Sequence, residues 1–166
     1  MSGFRRSQET AMITEDLTKN GSQTRLHHIG FVVASIDAAL PGFIEALGAS
    51  WSGEIFTDVH QKVKITFLAT RPGDAQIELV EPDAEHDPVS RFLTRNGPGL
   101  HHLCYEVGGL ETALAGMRAK GALIAKRPKP AAAFGGRRIA WILTPEKLLV
   151  ELLESEQLAQ TREEIK

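Results

Sequence analysis

The stretches LHHIGFVV (26–33) and LHHLCYEV (100–107) decide how this chain is read, because they are one message written twice. Each is followed by an amphipathic helical stretch that ends in Gly-Ala: Ile36 to Leu47 before Gly48-Ala49, and Leu110 to Lys120 before Gly121-Ala122. Each half then closes on an apolar strand carrying a carboxylate, IELVE at 77–81 and VELLE at 150–154. His28 and His102 lie 74 positions apart and Glu78 and Glu151 lie 73 apart, so the halves are copies of one unit that differ by one lost residue. Two such copies around a pseudo-two-fold axis can bring two histidines and two carboxylates to one point. That is a donor set for a divalent metal.

Working outward, residues 26–34 read as a strand, Ser35 or Asp37 as the cap of the following helix, and Gly48 as its end. Strands are expected at 51–58, 63–70 and 75–81, which completes a β-α-β-β-β unit over 25–82. A connector at 83–98 contains a short helix near Val89–Thr94 and a strong break at Asn96-Gly97-Pro98-Gly99. The second unit, 99–155, repeats the order: a strand at 100–107, a helix at 110–120, a weak strand near 122–126 and stronger ones at 137–143 and 148–154. Residues 1–24 read as a polar arm with one helical turn near Ala11–Leu17, and 156–166 as a polar tail. The expected fold is α+β: tandem βαβββ modules in one curved, mostly antiparallel sheet, a half-barrel with helices on its convex side and a cavity on its concave side.

Strand alternation sorts the side chains. Ile29, Phe31 and Val33, with Leu103, Tyr105 and Val107, share the face that packs under the helices. The opposite face carries His28, Gly30 and Val32, and His102, Cys104 and Glu106. His28 and His102 are therefore the inward histidines, and His27 and His101 are read as supporting or structural. Glu78 and Glu151 oppose their apolar neighbours in the same sense. Taken singly, a histidine at a strand start or a glutamate on a strand is an ordinary half-buried or wet residue. Repetition at matching points of two copies overrides that reading. Two imidazoles and two carboxylates suit Zn, Ni, Co, Mn or Fe, and four protein ligands on an open wall leave room for substrate. No CxxC or HExxH is present, so a zinc finger or zincin is not supported.

A net charge of −2 offers no case for nucleic acid or an anionic membrane as partner. The single cysteine, Cys104, excludes an internal disulfide and fits a reducing, cytoplasmic setting. No apolar run approaches a membrane span, and the first residues lack the apolar core of a secretory signal. Cys104 reads as a core thiol, His60 and His86 as surface residues. Gly135-Gly136 before Arg137-Arg138 reads as a strand-leading turn, with a phosphate or carboxylate cradle as the alternative. Lys126, Arg127 and Lys129 read as a solvated basic loop, or as contacts for an anionic ligand such as coenzyme A.

The paired LHHIG and GLHHL segments, the duplicated pattern and the late VELLE strand resemble the vicinal oxygen chelate superfamily over residues 26–155. That group includes glyoxalase I, extradiol dioxygenases, bleomycin-resistance proteins and methylmalonyl-CoA epimerases. DPVSRFLTRNGPGLHHLCYEV (87–107), HHIGFVVASIDAAL (27–40), IELVEP (77–82), FGGRRIAWI (134–142) and LLVELLE (148–154) are most similar to the epimerases. The resemblance implies His28, Glu78, His102 and Glu151 as metal ligands. It also implies a metal-dependent epimerase of a 2-substituted malonyl-type acyl-CoA, acting by α-proton abstraction through a metal-stabilised enolate, in a homodimer. Some epimerases carry a catalytic Glu in the third strand; Ile65 occupies that position here, which leaves Glu78 and Glu151 as the acid/base pair. The segment ILTPEKLLVEL (142–152) also lacks the family's His-Pro-Lys step and its glycine. A glyoxalase I-type lyase acting on a thiol adduct is the alternative, since His/Glu/His/Glu also resembles that enzyme. A ring-cleaving dioxygenase or a non-catalytic drug-binding protein follows behind.

Overall fold

The computed structural model describes residues 24–85, 87–156 and 159–160. The polar arm, most of the tail and His86 lie outside them. The described elements are β1 (Arg25–Val32), α1 (Ile36–Leu47), β2 (Ser50–Trp51), β3 (Phe56–Asp58), β4 (Val63–Ala69), β5 (Gln76–Pro82), α2 (Pro88–Asn96), β6 (Gly99–Val107), α3 (Leu110–Ala119), β7 (Leu123–Pro130), a 3-10 turn (Ala132–Phe134), β8 (Arg138–Leu143) and β9 (Leu149–Glu154). All nine strands form one sheet in the order β2-β4-β5-β1-β6-β9-β8-β7, with β3 also paired to β4. Read from its middle outward, β1, β5 and β4 on one side mirror β6, β9 and β8 on the other. Only β1/β5 and β6/β9 run parallel, so the curved, unclosed sheet is mostly antiparallel as expected.

Local chemistry explains the element ends. The Ser35 hydroxyl accepts from the Ala38 N–H, and Gly48 closes α1 at φ +59°, a conformation that suits a residue without Cβ. Pro41 sits on the exposed side of α1, where the carbonyl it leaves unbonded can meet water. α1 buries Ile36 and Leu40 against Val33, Leu68 and Leu79. α3 buries Leu110 and Leu114 against Val107, Ala140, Ile142 and Leu152. These two clusters are the convex layers that strand alternation calls for.

Three features depart from expectation. The strand expected at 51–58 is two short pieces, because Gly53 at φ +87° turns the chain between them. The weak strand near 122–126 runs on to Pro130; it is the outermost strand, where prolines cost no ladder bond that the sheet needs. The connector helix α2 is capped by Asp87, whose Oδ1 accepts from the Val89 and Ser90 N–H groups. It lays Val89, Phe92 and Leu93 on Val32, Val63, Ile65 and Val80, which is the concave face, so it walls the cavity.

The central β1–β6 pairing is the tightest point. Gly30 lies opposite His102, and Cys104 opposite His28. A Cβ on Gly30 would sit 2.0 Å from Cε1 of His102. At the far edge, Arg138 makes a two-pronged contact with the buried Glu154 (Nε 3.0 Å and Nη2 2.6 Å, both to Oε1) and reaches Glu111 at 2.6 Å. We expect Gly30→Ala to lower unfolding stability in urea by about 1–3 kcal/mol through overpacking. Glu154→Ala should cost about 3 kcal/mol in the same assay, since it strips a buried charge from its partner.

Candidate metal centre

His28 comes from β1, His102 from β6, Glu78 from β5 and Glu151 from β9, all four buried. The two imidazole Nε2 atoms are 3.1 Å apart. His28 Nε2 lies 3.5 Å from Glu78 Oε2 and 3.3 Å from Glu151 Oε2. His102 Nε2 lies 3.2 Å and 4.0 Å from the same two oxygens. Donors bound to one ion at about 2.0–2.2 Å stand roughly 3–3.5 Å apart. All four side chains that alternation selected therefore converge, most of these spacings fall in that range, and His28, His102 and Glu151 offer ligand atoms that all lie within 4.8 Å of one another; the nitrogen and oxygen donors suit Zn, Ni, Co, Mn or Fe.

Electrostatics agree with the geometry. Burial opposes a charged His28, but Glu78 and Glu151 outweigh it and raise its pKa above the ordinary imidazole value. Burial likewise opposes the Glu78 carboxylate, and His28 and His102 overcome it and lower its pKa. Two carboxylates at a dry point need positive charge beside them; protonated imidazole or a cation supplies it.

Strict alternation fails at His27 and His101, and the reason is visible in the register. One extra residue stands between Leu26 and His28 on β1, and one between Leu100 and His102 on β6. These are β-bulges, which re-aim a side chain. Each first histidine thus lies beside the second: Nδ1 of His27 is 2.9 Å from Nδ1 of His28, and Nδ1 of His101 is 3.0 Å from Nδ1 of His102. Burial, then the adjacent histidine, pushes His27 and His101 down to about 4. Both are neutral at pH 7 and hold their partners' rings by one hydrogen bond, as supports of metal-binding histidines commonly do. His101 also faces the cavity, which alternation alone denies it.

The cavity has a volume of about 300 Å³ and is lined by Glu78, His102 and Glu151 together with Ile65, Phe134 and Trp141. Ile65 of β4 faces inward, so that strand presents hydrocarbon to the cavity. The Phe134 ring stacks on His28 at a 17° interplanar angle, and Trp141 lies edge-on to His102 with centroids 4.8 Å apart. Phe134 sits in a turn, where no periodicity of the sequence marks direction. The arginines after Gly136 are structural, not a phosphate cradle: Arg137 pairs with Glu106 at 3.1 Å, and Arg138 with Glu154 and Glu111. Cys104 is fully buried; burial and Glu151 push its thiol up, so it stays protonated beside Glu151 as a core thiol. Lys126 lines the cavity and His60 is exposed.

Comparison with known proteins agrees with this geometry. Residues 27–141 match the glyoxalase/bleomycin resistance protein/dioxygenase superfamily. The uncharacterised protein YqjC of Bacillus subtilis is 34% identical over 133 residues, covering 78% of this chain and 91% of that protein. The ethylmalonyl-CoA/methylmalonyl-CoA epimerase of Cereibacter sphaeroides is 30% identical over 135 residues, covering 81% and 98%. The solved methylmalonyl-CoA epimerase of Mycobacterium tuberculosis superposes with a TM-score of 0.67 at 29% identity, covering 81% of this chain and 91% of that one. With its duplicated βαβββ sheet, this chain belongs to the glyoxalase/bleomycin resistance protein/dioxygenase (vicinal oxygen chelate) superfamily.

Proposed function

We propose that the protein is a metal-dependent epimerase of a 2-substituted malonyl-type acyl-CoA, with His28, Glu78, His102 and Glu151 as ligands. The observation that carries this reading is the convergence of four donors from two modules on one buried point at the cavity wall. Relatives named as epimerases of such thioesters support the substrate class. A divalent cation there supplies Lewis acidity for the negative charge that builds on the substrate oxygens as the α-proton leaves.

The chain's own residues do the rest. Glu78 and Glu151 come from β5 and β9, which flank the central pair on opposite sides. Each would be a ligand that can loosen from the metal, so that one takes the proton from one face of the planar carbon and the other returns it to the opposite face. His27 and His101 hold the ligand rings in orientation. Ile65, Phe134 and Trp141 exclude water, which strengthens each electrostatic contact inside. The same reading makes the protein a cytoplasmic homodimer. β7 leaves Leu123 and Ile124 exposed on its edge, and among the described residues no helix is long and apolar enough to cross a membrane.

Deuterium uptake at the α-carbon of methylmalonyl-CoA, followed by NMR in D₂O with Co²⁺-loaded protein, tests the chemistry. Fast, metal-dependent exchange is expected. Glu151→Gln should lower it by a larger factor than it lowers metal content; equal losses would leave Glu151 a ligand only. No exchange from protein that holds one metal would reject this substrate and turn attention to a lyase acting on hemithioacetals. Metal removal gives a second test. Chelation should lower the melting temperature, one equivalent of Co²⁺ should restore it, and saturation at about 1,000 times Kd corresponds to about 4 kcal/mol. His102→Ala should abolish that response.

A further inference from the structure

The two tryptophans of the chain are treated differently by the fold. Trp51 donates its indole N–H to Thr66 Oγ1 at 2.7 Å. Trp141, on β8, is 9% exposed, and its indole nitrogen is buried with no acceptor among the described residues. A buried N–H left unpaired is a standing cost, and proteins keep such a group where something else completes it. Trp141 lines the cavity that holds Glu78, His102 and Glu151. It also sits opposite Glu151 in the β8–β9 register and edge-on to the His102 ring.

We infer that Trp141 is a substrate-binding residue whose indole N–H hydrogen-bonds a carboxylate oxygen of the acyl group. The inference rests on the reading of the site as one for malonyl-type thioesters. Such a substrate brings three oxygens to the site, one on the thioester and two on the carboxylate. One thioester oxygen and one carboxylate oxygen suffice for a chelate, so the remaining oxygen needs a donor. The wall around it offers few: Ile65, Val80, Phe134 and Leu149 are hydrocarbon, the Gln61 amide donates to Asp58, His101 is engaged with His102, and Lys126 lies on the outer strand β7. Trp141 is the buried donor without a partner. A site that hydrogen-bonds one substrate oxygen discriminates strongly against analogues lacking it, because the donor is then stranded.

The test uses Zn²⁺-loaded protein and two probes, methylmalonyl-CoA and propionyl-CoA, which differ by the carboxylate. In ¹H–¹⁵N spectra the indole resonance of Trp141, assigned by its loss in Trp141→Phe, should shift downfield with methylmalonyl-CoA and stay in place with propionyl-CoA. In calorimetry, Trp141→Phe should weaken methylmalonyl-CoA binding about tenfold or more and leave propionyl-CoA binding within about twofold. Its melting temperature should not fall in proportion, since the variant removes an unpaired donor. An indole resonance that ignores methylmalonyl-CoA while the thioester binds would overturn the assignment, as would equal weakening of both probes. Because binding needs no turnover, a lack of α-proton exchange would count against the epimerase reading alone.

Discussion

The structure depends on how closely β1 and β6 approach at the pseudo-two-fold axis. Each inward histidine lies across from a small residue, His102 from Gly30 and His28 from Cys104. The 2.0 Å that would separate a Gly30 Cβ from the His102 ring shows how little space remains. That closeness brings two Nε2 atoms from different modules within 3.1 Å. It also sets where β5 and β9 lie, since each runs parallel to one member of the central pair and delivers its glutamate alongside.

Dense charge at such a point is held by a shell of directed contacts. Two imidazoles facing Glu78 lower its pKa against its burial, and two carboxylates facing His28 raise that of the imidazole. Behind the rings, the bulges at His27 and His101 add one residue to each central strand and convert it into a supporting hydrogen bond. The duplication extends to these supports: both modules carry the bulge, the extra histidine and the Nδ1 contact.

The modules then diverge to make a pocket. In the first, β3 and β4 join through the tight turn at 59–62, with Lys62 at φ +57°. In the second, the longer β7–β8 link folds Phe134 over His28, and Arg137, held by Glu106, backs the ring at 5.8 Å. α2 closes the concave face from the connector. A symmetrical cluster of histidines and glutamates thus sits in an asymmetrical cavity, apolar along Ile65 and Phe134 and carrying the unpaired indole of Trp141.

The repeat, the element order, the curved sheet and the inward sense of His28, Glu78, His102 and Glu151 are all legible in the amino-acid sequence. Duplication and two-residue alternation are local properties that survive folding. Alternation stops being informative where register changes. It cannot show that His27 and His101 lie beside their neighbours, because a bulge depends on the partner strand. It is silent about Phe134, which lies in a turn, and about α2, whose face is chosen by the hydrophobic surface it must cover. The arginines at 137 and 138 look free in sequence and are paired in space, because Glu106, Glu111 and Glu154 arrive from other elements. The sequence by itself determined the donor set. Only the tertiary structure decided its spacing, its supports and the wall around it, because those follow from contacts between strands far apart in the chain.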